Sequence, residues 1–206
     1  MVCSCAERAL FKVSPWIGCS LSAAVFAASM AVVGMEKAIA EVAFSIDDIA
    51  KEISRQTDFP ILLPSADILD RNNSLIGSGD VLYANVPSIS KNSQYEIRFN
   101  NQPGNPGHAA FRFSFAATKR GKITRKPPET NPRYQAKYNE LKLIDGSPAL
   151  VTAWCGSTAC WSSVQWISNN ILYEVASKTR QPDAAIEIAN SAIKAGDRRL
   201  KISVLP

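Results

Sequence analysis

Hydrophobic positions are arranged in three ways along this chain: one unbroken run, then helical stripes, then strict alternation. The run covers residues 13–35, twenty-three consecutive uncharged positions between Lys12 and Glu36. As a helix at about 1.5 Å per residue it would span roughly 34 Å, enough to cross a hydrocarbon core of about 30 Å. Its densest apolar part is 21–33. Ser14, Pro15, Gly18 and Ser20 interrupt what comes before. Arg8 and Lys12 precede the run as a positive n-region does. Ala38-Ile39-Ala40 follows it as a small-x-small cleavage site that would leave Glu41 first. Two export readings stand: a signal peptide cleaved from residues 1–40, or a membrane anchor retained over 13–35. A buried helix of a protein that is not exported is the competing structural reading. Arg8 and Lys12 ahead of the run, against Lys37 behind it, favour a translocated C-terminal part. Trp16-Ile17-Gly18-Cys19 precedes the apolar core, where a lipidation box would follow it, so Cys19 is not expected to be lipidated.

The rest, residues 41–206, has a length that suits one domain with its own core. Ser45 can cap a helix whose first turn holds Asp47 and Asp48, and Ile46, Ile49 and Ile53 give it one apolar face. Residues 59–64 form an apolar segment bracketed by Pro60 and Pro64 and predict a short edge strand. Residues 65–80 are polar and contain glycine, which predicts a loop. Alternation then takes over in 95–99 and again in 111–115, so Phe111, Phe113 and Phe115 are expected on one face. The intervening 101–107 is dense in turn formers. Leu141 and Leu143 continue the pattern, with a turn at Asp145-Gly146. Strands over 149–155 and 160–168 are followed by a turn at Asn169-Asn170 and a strand over 171–176. A last helix begins near Pro182, presents Ile186, Ala189 and Ile193, and ends at Gly196. The expected fold is α+β in two layers: an antiparallel sheet with an N-terminal and a C-terminal helix packed on one face.

Composition is ordinary for a globular protein, 46% hydrophobic and 20% charged. Charge is unevenly placed. The whole chain carries 23 basic and 18 acidic residues, a net charge of +5. Lys119, Arg120, Lys122, Arg125 and Lys126 fall close together, and Arg133, Lys137 and Lys142 follow. Only Glu129 and Glu140 oppose them within 119–142. Pro127, Pro128 and Pro132 keep the centre extended. Beside a membrane such a segment attracts anionic headgroups at about 1 kcal/mol per cation, and an anionic wall polymer would serve equally. The competing reading is a solvated loop between strands. Nucleic acid is not expected, because export removes it and no aromatic side chain lies between Lys119 and Arg133 to stack a base.

Cys3, Cys5 and Cys19 lie in the first forty residues, and the remainder holds only Cys155 and Cys160. A four-residue turn between two strands would set these two opposite each other, near disulfide range. In an oxidising compartment they are expected to join and pin the hairpin, for about 2 kcal/mol. Free thiols are the alternative. A redox pair would more often show two intervening residues, and a metal site would need ligands beyond two thiols when the only histidine, His108, is remote. Trp154, Trp161, Trp166 and Tyr173 crowd the same hairpin and its neighbour. Trp154 and Trp161 should face each other across the pair. The group reads either as cross-strand stabilisation or as the floor of a glycan or lipid pocket.

Nothing in the chain composes a catalytic motif. There is no Gly-x-Ser-x-Gly elbow and no histidine pair. Asp47-Asp48 and Asp67 with Asp70 read as cap and turn carboxylates. No catalytic residue, metal or cofactor is therefore expected, and a hydrolase ranks third after a surface-contacting protein and a small-ligand binder.

The C-terminal third resembles a group of exported bacterial domains of unknown function. The matching pieces are the proline-bracketed segment 59–64, the Trp-turn-Tyr pair over 166–173, and Ile188-Ala189-Asn190-Ser191 in the closing helix. The resemblance covers 141–195 plus that segment. It implies an α+β domain in the periplasm or outside the cell, and brings no catalytic residue with it.

Overall fold

A computed structural model describes residues 44–76, 81–90, 93–104, 107, 109–125, 136–156 and 158–199, all within one unit, Lys37–Pro206. The apolar run at 13–35, the cleavage site after Ala40, His108 and Lys126 lie outside the described residues. Among the described residues no helix is long and apolar enough to cross a membrane.

Helix α1, Ile46–Ser54, begins where the sequence places it. Ser45 Oγ accepts the Asp48 N–H at 3.2 Å, and Ile46, Ile49, Ala50 and Ile53 turn into the core. Residues 59–64 are not a strand of the sheet. They run extended through the interior, burying Phe59, Ile61 and Leu63, and make one isolated bridge, Leu62 to Asp197. Pro60 and Pro64 cannot donate to a ladder, so beside the Arg198 N–H bond to Ile61 O at 3.0 Å the segment is satisfied by side chains. Tyr95 and Tyr173 donate their hydroxyls to Leu62 O at 3.3 Å and Pro60 O at 3.2 Å. Asp197 accepts the Ile61 N–H at 3.0 Å. The Arg198 guanidinium donates to Leu63 O and Pro64 O.

Helix α2, Ala66–Ile76, corrects the loop expected over 65–80, of which 77–80 lie outside the described residues. Asn72, Asn73 and Ser74 are weak helix formers, and tertiary contacts outweigh that weakness. Asn72 is wholly buried, and its amide donates back to Ile68 O at 2.9 Å and across to Glu187 Oε2 at 3.0 Å. Arg71 pairs with Glu187 at 2.9 Å. Glu187 belongs to α3, Asp183–Ala195. This last helix buries Ala184, Ala185, Ile188, Ala189 and Ala192, while Ile186 and Ile193 are only partly covered. The buried stripe is thus made of small residues and one isoleucine, rotated from the expected Ile186–Ala189–Ile193 line, and it lets α3 lie against β6 and β7.

The strands are β1 Tyr83–Ser90, β2 Gln94–Asn100, β3 Phe111–Lys119, β4 Lys137–Lys142, β5 Pro148–Cys155, β6 Cys160–Ser168 and β7 Ile171–Ser177. They form one sheet in the order β1-β2-β3-β7-β6-β5-β4, every neighbouring pair antiparallel. β1 is not predicted by the hydrophobic pattern. It holds Pro87, which an edge strand tolerates, and its register shifts between Asn85 and Ser88. On the helix-covered face, Ile97, Phe115, Val175, Val164 and Val151 stand in one row across five strands. Beside it runs a second row, Tyr95, Ala117, Tyr173, Trp166 and Ala149. These rows are the core of the expected α+β fold.

Candidate functional site

The opposite face of the sheet carries the features of interest, because the chain must cross it. β3 is third in the sheet and β4 is last, so the connection between them has to pass β7, β6 and β5. The described part of that connection is laid down strand by strand. Arg120, at φ 56°, donates its N–H to Asn170 O at 2.7 Å. Gly121 rests on β7 so closely that a Cβ there would stand 2.6 Å from Leu172 Cβ. The Thr124 N–H donates to Gln165 Oε1 on β6 at 3.0 Å. The Arg125 guanidinium reaches Glu140 on β4 at 3.0 Å and stands 5.8 Å from the Tyr138 ring centroid. Residues 120–125 are therefore a strap held to the sheet. Gln165 and Leu150 on this face are almost fully buried.

The strap displays the sequence-predicted cations unequally. Lys119 Nζ lies 3.3 Å from Asp58 Oδ1, and Arg125 is engaged as above. Arg120 and Lys122 are exposed and, among the described residues, form no ion pair. Close to them, Ile123 and Ile167 are 37% and 40% exposed. Ile167 stands opposite Leu172, the residue beneath Gly121.

The other end of the face belongs to the bridged hairpin. Cys155 and Cys160 are register partners joined by a disulfide, and Trp154 is the register partner of Trp161. The four aromatic residues singled out above do not share a face. Trp166 and Tyr173 point into the core, 0% and 1% exposed, with ring centroids 5.3 Å apart and planes 21° apart. Burial pushes the Tyr173 phenol well above its ordinary range. Neither can floor an open pocket, because strand alternation reverses the side on which even and odd positions emerge. Trp154 and Trp161 emerge on the open face and are half-buried.

A residue the sequence reading assigned to the core joins them. Period two groups Phe111 with Phe113 and Phe115, yet the β2–β3 register shifts so that Asn100 faces Phe111 directly after Phe99 faces Phe113. The extra residue, Arg112, turns Phe111 to the open side, where its ring lies 5.3 Å from that of Trp161. A bulge of this kind leaves no mark in an alternating pattern, so no sequence signal pointed to it.

Carboxylates of both pairs have local partners. Asp47 receives Arg198 at 3.0 Å. Asp67 is lowered from its ordinary value first by a hydrogen bond from Ser65, and Asp70 is raised by burial and by Asp67. Ser65 Oγ and Ser191 Oγ lie 3.0 Å apart at the edge of an open groove of about 470 Å³ between α2 and α3. Among the described residues no three His, Cys, Asp or Glu side chains converge as metal ligands would. The chain matches no family model, no curated protein and no solved structure.

Proposed function

We propose that this chain is an exported, non-catalytic protein, periplasmic or secreted, that rests on an anionic membrane surface through the strap at 119–125. Residues 13–35 either remain as a tether or are removed by cleavage after Ala40. The Cys155–Cys160 disulfide is compatible with an oxidising extracytoplasmic space.

One observation carries the reading: a backbone bonded to β3, to the β6–β7 turn and to Gln165 of β6 presents Arg120 and Lys122, exposed and without an ion pair among the described residues, beside exposed Ile123 and Ile167. Cations attract anionic headgroups at about 1 kcal/mol each near the surface. Isoleucines flanked by those cations add apolar area that lipid would cover and a polyanion would not. Because the strap is already ordered, contact costs little further conformational entropy. Lys119 contributes less, since Asp58 shares its charge.

Co-sedimentation with phosphatidylglycerol and phosphatidylcholine vesicles tests this. Binding should require the anionic lipid and weaken with salt. Arg120→Gln with Lys122→Gln should weaken it about thirtyfold, the equivalent of about 2 kcal/mol. Ile123→Ser with Ile167→Ser should weaken vesicle binding too. Equal binding to both lipids, or no binding to either, overturns the reading. Binding to a soluble wall polyanion that ignores the isoleucine changes would replace the membrane with a polymer partner.

A further inference from the structure

The end of the open face that the strap leaves bare holds a pocket of about 230 Å³, lined by Glu96, Arg98, Asn100, Phe111, Ser114 and Trp161. We propose that this pocket binds one neutral sugar ring, free or as a unit of a glycan chain. Its location and residues are separate from the membrane contact, so neither proposal depends on the other.

Size sets the first limit. Sites for drug-sized ligands run to about 300–1,000 Å³, and this one is smaller, so a single ring fits. Shape sets the second. The Phe111 and Trp161 rings are 43° apart in plane, an angled apolar wall that suits the C–H face of a puckered saturated ring.

Polar chemistry sets the third. Glu96 and Arg98 lie two positions apart on one strand and are joined at 2.8 Å, their side chains 31% and 44% exposed. Among the described residues, one bond between them leaves most of a carboxylate's acceptor sites and a guanidinium's donors unused. A hydroxyl both donates and accepts, so neighbouring sugar hydroxyls can use each, with the Ser114 hydroxyl as a third partner. The two charges cancel at close range, which disfavours a free anion or cation. An apolar ligand would strip water from both and return no hydrogen bond. Trp154, half-buried on the same face, is the register partner of Trp161 beside the pocket.

The test uses the purified full-length protein with glucose, N-acetylglucosamine and the β-1,4-linked tetramer of each, read by saturation-transfer NMR on the ring protons of the sugars and of benzoate, and by phosphorus-31 line broadening for inorganic phosphate. Saturable binding in the millimolar range or tighter is expected for at least one of these four, and none for inorganic phosphate or benzoate. Trp161→Ala should weaken it at least about tenfold by removing the wall. Ser114→Leu should do the same by filling the pocket while leaving both rings in place. It remains informative if the tryptophan variant fails to fold. No saturable response to any of the four sugars overturns the proposal. So does binding that both variants leave unchanged, or binding of phosphate or benzoate in place of sugar.

Discussion

The 59–64 segment shows what single residues do in this protein. It has no ladder, so two phenols, one carboxylate and one guanidinium hold its backbone, and most of these groups lie more than a hundred positions away in sequence. That separation made the clamp illegible: Asp197 and Arg198 read as an ordinary polar run until folding brings them to Ile61 and Leu63. The phenols carry a pH signature. Burial raises Tyr95 far above the ordinary phenol value of 10.0, and raises Tyr173 for the same reason. The unfolded chain would therefore release these protons at a lower pH than the folded one. Their contribution is fully present below pH 10 and is lost as pH climbs from there towards the folded values, at about 1.4 kcal/mol per pH unit for each phenol. Urea unfolding followed from pH 8 to pH 11.5 should show this fall. Tyr95→Phe with Tyr173→Phe should be less stable at pH 8, through lost hydrogen bonds, yet decline more gently with alkali. Parallel curves would show that lysine titration alone drives the loss.

Elements with strict alternation were legible, and those shaped by context were not. The bridged hairpin follows from its own residues: two apolar strands, a four-residue turn and a cysteine at each end leave few ways to pair. Alternation also placed the core faces of β2 and β3 correctly, but missed Phe111, because one inserted residue reverses a face. Helix α2 was hidden because Asn72, a weak helix former, is held by Glu187 of α3, a contact that propensity does not register. The strap is the clearest case of shape decided by topology. Its basic residues were visible, yet only the strand order shows that the connection must lie across the sheet. Gly121 is the position where that crossing is tightest. Alanine there would press a methyl group to within 2.6 Å of Leu172 Cβ, an atom fixed to the β7 backbone that cannot swing away. Gly121→Ala should therefore cost about 1–3 kcal/mol of stability and lift the strap from β7. Thermal unfolding should register the first effect and vesicle co-sedimentation the second, with the Cys155–Cys160 end unaffected.

At the scale of the whole molecule, the strand direction of β3 separates the two proposed contacts. Phe111 opens the strand beside the pocket, and Lys119 closes it at the start of the strap. The eight steps between the first and last of its nine residues, at about 3.3 Å each, put roughly 26 Å between the ends, well over two Debye lengths at physiological salt. A surface holding Arg120 and Lys122 would thus leave Phe111 and Trp161 at the far end of the strand, reachable by a ligand from solution. β3 joins the two ends but is held between β2 and β7 over its length, so among the described residues no element offers the two arrangements that coupling would need. Vesicle-bound protein should therefore bind the preferred sugar with an affinity within about twofold of free protein, and saturating sugar should leave vesicle binding equally unchanged, since coupling between sites is reciprocal. Measuring both affinities, each with and without the other partner, checks the prediction. A tenfold loss in either direction would place the two ligands on one overlapping surface and make the strap part of the pocket.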